Sequence, residues 1–268
     1  MTAAEPAAEP AAGPAAGPAA EPAAEPAAGD GGEAAPRPIE RLASAVRALL
    51  ELTVAAPLDE AAANEAAATL EALAVELGQR AGPGRRSRGR PDETADPQAF
   101  FPTSPMTGLE NPLAPPVRIW TEHADDGGSP VVRGEVTFGV AYEGPPTCVH
   151  GGVLAALFDE VLGAANLAAG HPGMTGTLTV RYRQPTPLGV PLALEAVCRG
   201  HQGRKIRTWA GVYHGDVLTA EADGLFIAVR PEAFLAIAQR HAHEVGPDAV
   251  AALRAVVDEG RARGPAGD

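Results

Sequence analysis

The chain has 268 residues and a formal net charge of −13 at neutral pH. This length allows one or two domains of about 100–200 residues, and the negative charge disfavours binding to nucleic acid or to an anionic membrane surface, because like charges repel. Two cysteines exclude a disulfide framework. No stretch approaches the ~18 apolar residues of a membrane span, and the N-terminus lacks the basic and apolar regions of a secretory signal peptide. We therefore expect a cytoplasmic protein.

Residues 1–38 are predicted to form a disordered tail. Proline recurs there at every fourth position from Pro6 to Pro26, within Ala-rich units, and a proline in each turn removes a hydrogen-bond donor and breaks a helix. All eleven aromatic residues (two Trp, three Tyr and six Phe) lie between Phe100 and Phe234. Because aromatic side chains contribute heavily to buried area, we place the main domain at about residues 100–230.

Two helical patterns follow the tail and predict a helical hairpin over residues 39–80. Apolar residues recur at helical steps on one face of each segment: Ile39, Leu42, Val46, Leu49 and Leu50 in the first, and Leu70, Leu73 and Leu77 in the second. Such a hairpin would pack on the main domain or pair with a partner. Residues 81–99, where four arginines lie among Gly and Pro, are interpreted as a solvated linker.

From residue 117 onward the apolar period changes to two, which predicts strands. Val136, Phe138 and Val140 alternate with polar residues, a helix pattern follows at about 151–168, and four more strands are predicted near 175–184, 190–199, 205–214 and 217–229. Several successive antiparallel strands with one helix indicate an α+β domain. Residues 231–268 are predicted to hold C-terminal helices and a tail.

The predicted helix at 151–168 has apolar residues around nearly its whole circumference, so it must be buried on most sides. A curved antiparallel sheet wrapped around one central helix meets this requirement. Asp159 lies within the helix among apolar neighbours. Since a buried carboxylate is costly to desolvate and perturbed acids concentrate at functional sites, we expect Asp159 to be buried and functional. The alternative is a carboxylate that faces solvent where the helix meets an edge.

The helix begins with His150, Gly151 and Gly152. The first N–H groups of a helix are free donors with partial positive charge, and glycines allow a substrate to approach the backbone closely. The start of the helix is therefore a candidate oxyanion site, in which Gly152 contributes to substrate binding. The alternative is a tight turn that simply enters the helix.

The stretch from Gly144 to Asp159 reads G-P-P-T-C-V-H-G-G, with the aspartate after six further residues. It resembles the hotdog-fold acyl-CoA thioesterases, in particular the phenylacetate-pathway (PaaI-type) branch and the thioesterase superfamily members. The resemblance covers about residues 100–230 and includes the strand from Arg181 to Leu188. It implies a hotdog fold and an acyl-CoA substrate. Because a positioned base and an oxyanion donor suffice to hydrolyse a reactive thioester, we expect no metal and no cofactor.

By this resemblance, Asp159 is the catalytic carboxylate and acts as general base or nucleophile. The Gly151 N–H would polarise the thioester carbonyl, His150 would help to hold the carbonyl or the leaving thiolate, and Thr175 would orient the water or Asp159. Some relatives carry an asparagine six residues before the histidine. This chain has Gly144 there, so no side chain can supply that contact.

The spacing of Gly151 and Asp159 predicts a homodimer. Eight residues on one helix place them roughly 12 Å apart along the axis, at about 1.5 Å per residue, whereas a reacting carbonyl needs both within about 3 Å. Two antiparallel copies of the helix, side by side, would meet that requirement in two shared sites. The spacing does not distinguish a dimer from a dimer of dimers.

Basic residues on the predicted strands are candidates for contact with coenzyme A phosphates. Arg204 and Lys205 follow Gly203, and Arg181 and Arg183 are further candidates, because a negatively charged substrate must find positive surface on an acidic protein. The alternative is an exposed basic strand edge.

Two functions from different classes remain open. The first is an acyl-CoA thioesterase, and the second is a non-catalytic hotdog module that binds acyl-CoA and uses its N-terminal region for regulation or partner binding. No serine nucleophile elbow and no metal-ligand spacing is present in the sequence. The carboxylate of Asp159, together with Gly151 and Thr175, favours the enzyme.

Overall fold

The computed structural model describes residues 35–82, 98, 102–123 and 128–228, together with 235, 236, 239, 240, 251 and 254. The tail predicted over 1–38, apart from its last four residues, lies outside them. Most of the predicted linker at 81–99 and most of the C-terminal segment at 231–268 do so as well. The domain boundaries therefore stay predictions.

Two helices precede the sheet, α1 (Pro38–Ala55) and α2 (Glu60–Arg80). Helix α1 docks on the domain: Ala43 is buried, the Arg47 guanidinium donates to the Ala114 carbonyl at 2.6 Å, and the Glu51 carboxylate accepts from the Val140 N–H at 2.6 Å. Asp59 caps α2, but no residue of α2 is buried. The predicted hairpin is thus present as two helices, of which only the first is packed.

Six strands form one antiparallel sheet: β1 (Arg118–Glu122), β2 (Val131–Val136), β3 (Gly173–Tyr182), β4 (Leu192–Gln202), β5 (Lys205–His214) and β6 (Val217–Ala228). Their order across the sheet is β1-β2-β4-β5-β6-β3. The predicted succession of two strands, one helix and four strands is confirmed. The strand β3, which follows the helix directly, occupies one edge of the sheet.

One strand boundary differs from its prediction. The alternation of Val136, Phe138 and Val140 predicted a strand that reaches residue 140, but β2 ends at Val136 and residues Val140–Tyr142 form a 3-10 turn. The carboxylate of Glu51 in α1 accepts hydrogen bonds from the N–H groups of Val140 and Ala141. These N–H groups are therefore directed at α1 and not at a neighbouring strand.

The sheet wraps around helix α3 (Gly151–Ala168), which supplies much of the core. Its buried side chains are Leu154, Leu157, Phe158, Val161, Leu162, Ala165 and Asn166. They pack on the inner face of the sheet, against residues such as Phe226, Ile206 and Val212. This is the predicted α+β hotdog arrangement of a curved antiparallel sheet around one central helix. By length and composition α3 could also cross a membrane, a test that the core helix of a soluble protein passes as well.

A segment outside the helices and strands, residues 102–117, is attached to α3 by a side-chain hydrogen bond. The hydroxyl of Ser104 donates to the Glu160 carboxylate and accepts from the N–H groups of Met106 and Thr107. Glu160, the residue after Asp159, is therefore a structural group that holds this segment on the helix.

Candidate active site

The start of α3 has the geometry of an anion-binding site. His150 is the N-cap of the helix, and its Nδ1 accepts a hydrogen bond from the Gly152 N–H at 2.9 Å. A neutral imidazole that accepts at Nδ1 carries its proton on Nε2, where it can donate to a substrate. The Gly151 N–H makes no hydrogen bond to any described residue. Gly151 thus offers the free donor, whereas the N–H of Gly152 is already used by His150.

Tyr182 is a further residue of this site, which the sequence pattern did not reveal. Its hydroxyl donates to the Gly151 carbonyl at 2.7 Å, and a Cβ at position 151 would lie 3.2 Å from its ring. Alternation places Tyr182 on the inner face of β3, but only the antiparallel packing of β3 on α3 brings it to the first residue of the helix. Tyr182 is 55% exposed, so it forms an open rim beside Gly151.

Asp159 and Thr175 are in direct contact. The Thr175 hydroxyl donates to Oδ1 of Asp159 at 2.6 Å. No other described residue donates to this carboxylate, so Oδ2 keeps its lone pairs for a water molecule or a substrate. The structure therefore brings together the two residues that the resemblance implied would act together.

A β-bulge at Gly176 turns Thr175 towards α3. Thr175 lies opposite Phe226 and Thr177 lies opposite Leu225, so Gly176 is an extra residue in the ladder with β6. Strict alternation from Thr177 would place Thr175 on the outer face of the sheet, away from the helix. The bulge shifts the phase by one residue. Thr175 consequently shares the inner face with the buried Phe226.

The expectation that Asp159 is buried is wrong for the single chain. Asp159 is exposed, and on its side of α3 Gly152 and Ala156 are exposed and Gly163 is half-buried. These four residues recur at helical spacing and form a stripe of small side chains that none of the described residues covers, because β3 is the last strand of the sheet on that side. The helix is therefore apolar on the sides that meet the sheet and open along this stripe.

Two of the predicted phosphate-binding residues already have acidic partners. Arg181 donates to Asp223 at 2.5 Å, and Arg183 donates to Glu221, across the outer face of the sheet. The Trp209 indole N–H donates to Glu221 at 2.9 Å, and this bond, together with that of Arg183, holds the pKa of Glu221 below its ordinary value. The structure does not bring Arg181 and Arg183 to the start of α3, because strand alternation directs them to the opposite face.

The other two predicted basic residues have no carboxylate partner among the described residues. Arg204 donates to the Ala228 carbonyl at 3.3 Å, and the Lys205 side chain makes no hydrogen bond or ion pair to any described residue. Both lie at the turn between β4 and β5. Of the four candidates, Arg204 and Lys205 are therefore the pair that is available to an anionic ligand.

Comparison with known proteins identifies related chains. The sequence profile of the thioesterase superfamily matches residues 147–217, a range that contains His150, Asp159 and Thr175. Acyl-coenzyme A thioesterase THEM4 of Xenopus laevis is 36% identical over 91 residues, which is 33% of this chain and 41% of that protein. The Bos taurus protein of the same name is 33% identical over 92 residues, or 34% of this chain and 38% of that protein. The chain thus spans about two fifths of the length of these curated relatives.

A solved structure resembles a longer part of the chain. The crystal structure of RHA08564, a thioesterase superfamily protein, is 34% identical, and the match covers 71% of this chain and 95% of that one with a TM-score of 0.62. This coverage extends well beyond the range that the superfamily profile matches. The match covers nearly all of that structure, and the superfamily profile covers the site. The chain therefore belongs to the thioesterase superfamily.

Proposed function

We propose that the protein hydrolyses acyl-CoA thioesters to a free acid and coenzyme A. The observation that carries this proposal is the Asp159 carboxylate, which Thr175 holds by one oxygen at the open side of a helix whose first N–H has no acceptor among the described residues. A base and an oxyanion donor are the two groups that hydrolysis of an acyl group requires. The THEM4 relatives are named as acyl-coenzyme A thioesterases, which agrees with this chemistry.

In the proposed reaction, the thioester oxygen accepts a hydrogen bond from the Gly151 N–H. Asp159 takes a proton from water as the water oxygen attacks the carbonyl carbon, or its carboxylate attacks that carbon directly and water then releases the acid. The C–S bond breaks and the coenzyme A thiolate leaves, with the Nε2–H of His150 as a donor beside it. Thr175 keeps Asp159 in place throughout by its hydrogen bond to Oδ1.

Two copies of the chain would form each site. Gly151 and Asp159 are roughly 12 Å apart along α3, at about 1.5 Å per residue, so one helix cannot present both to one carbonyl. The edge strand β3 has ten residues and, within the described part of the chain, pairs on one side only, with β6. Unpaired strand edges readily pair with another chain. A two-fold axis beside β3 would set two α3 helices antiparallel, with Gly151 of one near Asp159 of the other.

The open stripe of α3 fits this arrangement. Gly152, Ala156 and Gly163 have small side chains or none, so a second helix can approach closely there. Burial between two copies would also shield Asp159, which is exposed in the single chain, from bulk solvent, and would strengthen its interaction with the reacting groups and the attacking water. The homodimer therefore accounts for both the exposed carboxylate and the small residues beside it.

A panel of acyl-CoA substrates tests the proposed function. We expect thiol release from at least one member of a series from acetyl-CoA to palmitoyl-CoA plus aryl-CoA esters, with the same rate after EDTA treatment, because carboxylate chemistry needs no metal. The chain has two cysteines, so thiol release must exceed two equivalents per chain to count as turnover. Acyl-CoA binding without any turnover across the panel would favour the non-catalytic module instead.

Thr175→Val tests the contact with Asp159. Loss of a hydrogen bond to a charged group costs about 1.5–3 kcal/mol, so we expect kcat for the best substrate to fall by about tenfold or more. Thr175→Ser keeps the hydroxyl and should retain most of the activity. Circular dichroism and the melting temperature check that both variants fold alike. Equal rates for Thr175→Val and the unmodified enzyme would show that Asp159 does not depend on this bond.

A further inference from the structure

Two apolar stripes on the N-terminal helices are exposed in the structure. On α1, the stripe lies on the side away from the docked Ala43, and on α2 it runs along most of the helix. The outer stripe of α1 consists of Leu42, Ala45, Leu49 and Leu52, and the stripe of α2 consists of Ala63, Ala66, Leu70, Leu73 and Leu77. The six leucines keep between 39% and 57% of their surface exposed.

Both stripes have the spacing of a coiled-coil seam. Within each, the steps alternate between three and four residues, as at positions a and d of a heptad. Isolated helices shorter than about 12–15 residues are marginally stable in water, and in proteins most helical stability comes from tertiary packing of an apolar face. Helix α2 has 21 residues and none of them is buried. Its seam therefore needs a partner surface.

The two seams complement each other when the helices run antiparallel. In that register Leu52 faces Ala63, Leu49 faces Ala66, Ala45 faces Leu70, and Leu42 faces Leu73. Three of these four layers set a large residue against a small one, which lets facing positions fill the space between two helices. The outer stripe of α1 is thus shaped for α2 of this chain rather than for an arbitrary apolar helix.

Charges beside the seams agree with the same register. Arg41 flanks Leu42 on α1 and makes no ion pair with any described residue, and Glu76 flanks Leu77 on α2 and pairs only with Arg80 in its own helix, at 2.8 Å. Antiparallel packing brings Arg41 next to Glu76. Opposite charges at flanking positions of a coiled coil set the choice and the orientation of partners.

We propose that α2 of one copy docks on the outer stripe of α1 of a second copy, and that the second copy returns the same contact. Within the chain, α1 and α2 are separated by four residues that include Pro57, and the preceding Ala56 is extended, as a residue before proline is. None of the residues that the structure describes covers either seam of the single chain. An exchange about a two-fold axis covers all four seams of a pair, and such exchange is a low-cost route to dimers.

A disulfide between the two seams tests the proposal directly. The variant carries Leu49→Cys and Ala66→Cys, with Cys148→Ser to remove the partly exposed native thiol. A disulfide requires a Cα separation of about 4.4–6.8 Å, and we expect Leu49 and Ala66 to lie within it when the two seams pack closely. After mild oxidation of the full chain, we expect most of the protein to run at twice the chain mass on a denaturing, non-reducing gel, and to return to single-chain mass on reduction.

A matched control places the second thiol on the far side of α2. Ala68 is two residues after Ala66, about 200° around a helix of 3.6 residues per turn, so Leu49→Cys with Ala68→Cys should remain at single-chain mass. Both positions on α2 are exposed, and neither change disturbs the core. Arg41→Glu should slow the cross-link several-fold, and Glu76→Arg in the same chain should restore it.

Three outcomes would overturn the proposal. A disulfide that forms within one chain, seen as oxidation without a change to double mass, would mean that α2 folds back on its own α1. Absence of any bond between the introduced thiols would mean that the two seams do not meet. Equal cross-linking of the Ala66 and Ala68 variants would mean that the contact is random collision. None of these readouts depends on thioester hydrolysis, so they leave the proposed function untouched.

Discussion

Asp159→Asn is expected to lower the rate of acyl-CoA hydrolysis by about 10²- to 10⁴-fold, the usual contribution of a positioned base. Asparagine is nearly the same size and still accepts the hydrogen bond from Thr175, but it cannot take a proton from water or attack the carbonyl. Asp159 is exposed in the single chain, so its charge does not hold the core together. The melting temperature and the elution volume should therefore match those of the unmodified protein.

The neighbouring carboxylate provides the matched control. Glu160 accepts the hydrogen bond of Ser104 and so holds the 102–117 segment against α3. Glu160→Gln weakens a charge-assisted bond, and we expect a melting temperature lower by a few degrees with a rate close to that of the unmodified protein. If Glu160→Gln were the more damaging change for turnover and Asp159→Asn nearly silent, Asp159 would not be the catalytic carboxylate.

The order of helices and strands was predictable because it depends on local periodicity. The alternation of apolar residues located the four strands after the helix to within a few residues, and α3 begins at Gly151 and ends at Ala168 as expected. The local pattern failed to predict the structure where a distant side chain forms the hydrogen bond that a backbone N–H would otherwise make to a neighbouring strand. The strand pattern at Val140 is such a case, since its N–H bonds to Glu51, 89 residues earlier in the chain.

The geometry of the site was predictable only in part. The pattern of residues singled out Asp159 and Gly151, but the exposure of Asp159 depends on which strand ends the sheet, and no local pattern contains the strand order. Thr175 reaches Asp159 because Gly176 is an extra residue in the strand. Strict alternation would have placed Thr175 on the outer face of the sheet, away from the helix. Tyr182 meets Gly151 only through the packing of β3 on α3. Each of these features is set by contacts between elements rather than within one.

Mixed dimers of two inactive variants should recover about a quarter of the unmodified activity. One parent is Asp159→Asn, and the other is Gly151→Pro, which removes the free N–H while proline remains tolerated in the first turn of a helix. Each parent alone should be nearly inactive, because both of its sites lack one group. In a mixed dimer one site collects both defects. The other receives Gly151 from the first chain and Asp159 from the second.

The structure supplies the control for the proline variant. A Cβ at position 151 would lie 3.2 Å from the Tyr182 ring, so any side chain there displaces that ring slightly. Gly151→Ala adds the same carbon and keeps the N–H. We therefore expect it to retain much of the activity that Gly151→Pro loses. Similar losses in the two variants would trace the defect to the displaced Tyr182 rather than to the missing donor.

The expected recovery follows from random pairing. When the two parents are unfolded and refolded together in equal amounts, half of the dimers are mixed, and each mixed dimer has one intact site of two, provided that the sites act independently as closed two-fold symmetry permits. Differently tagged parents confirm the exchange, and circular dichroism confirms that the proline parent folds. Activity that stays at the parental level despite confirmed exchange would place Gly151 and Asp159 of each site in one chain. The separation of roughly 12 Å along α3, at about 1.5 Å per residue, would then have to be bridged by a substrate that touches the two groups at different atoms.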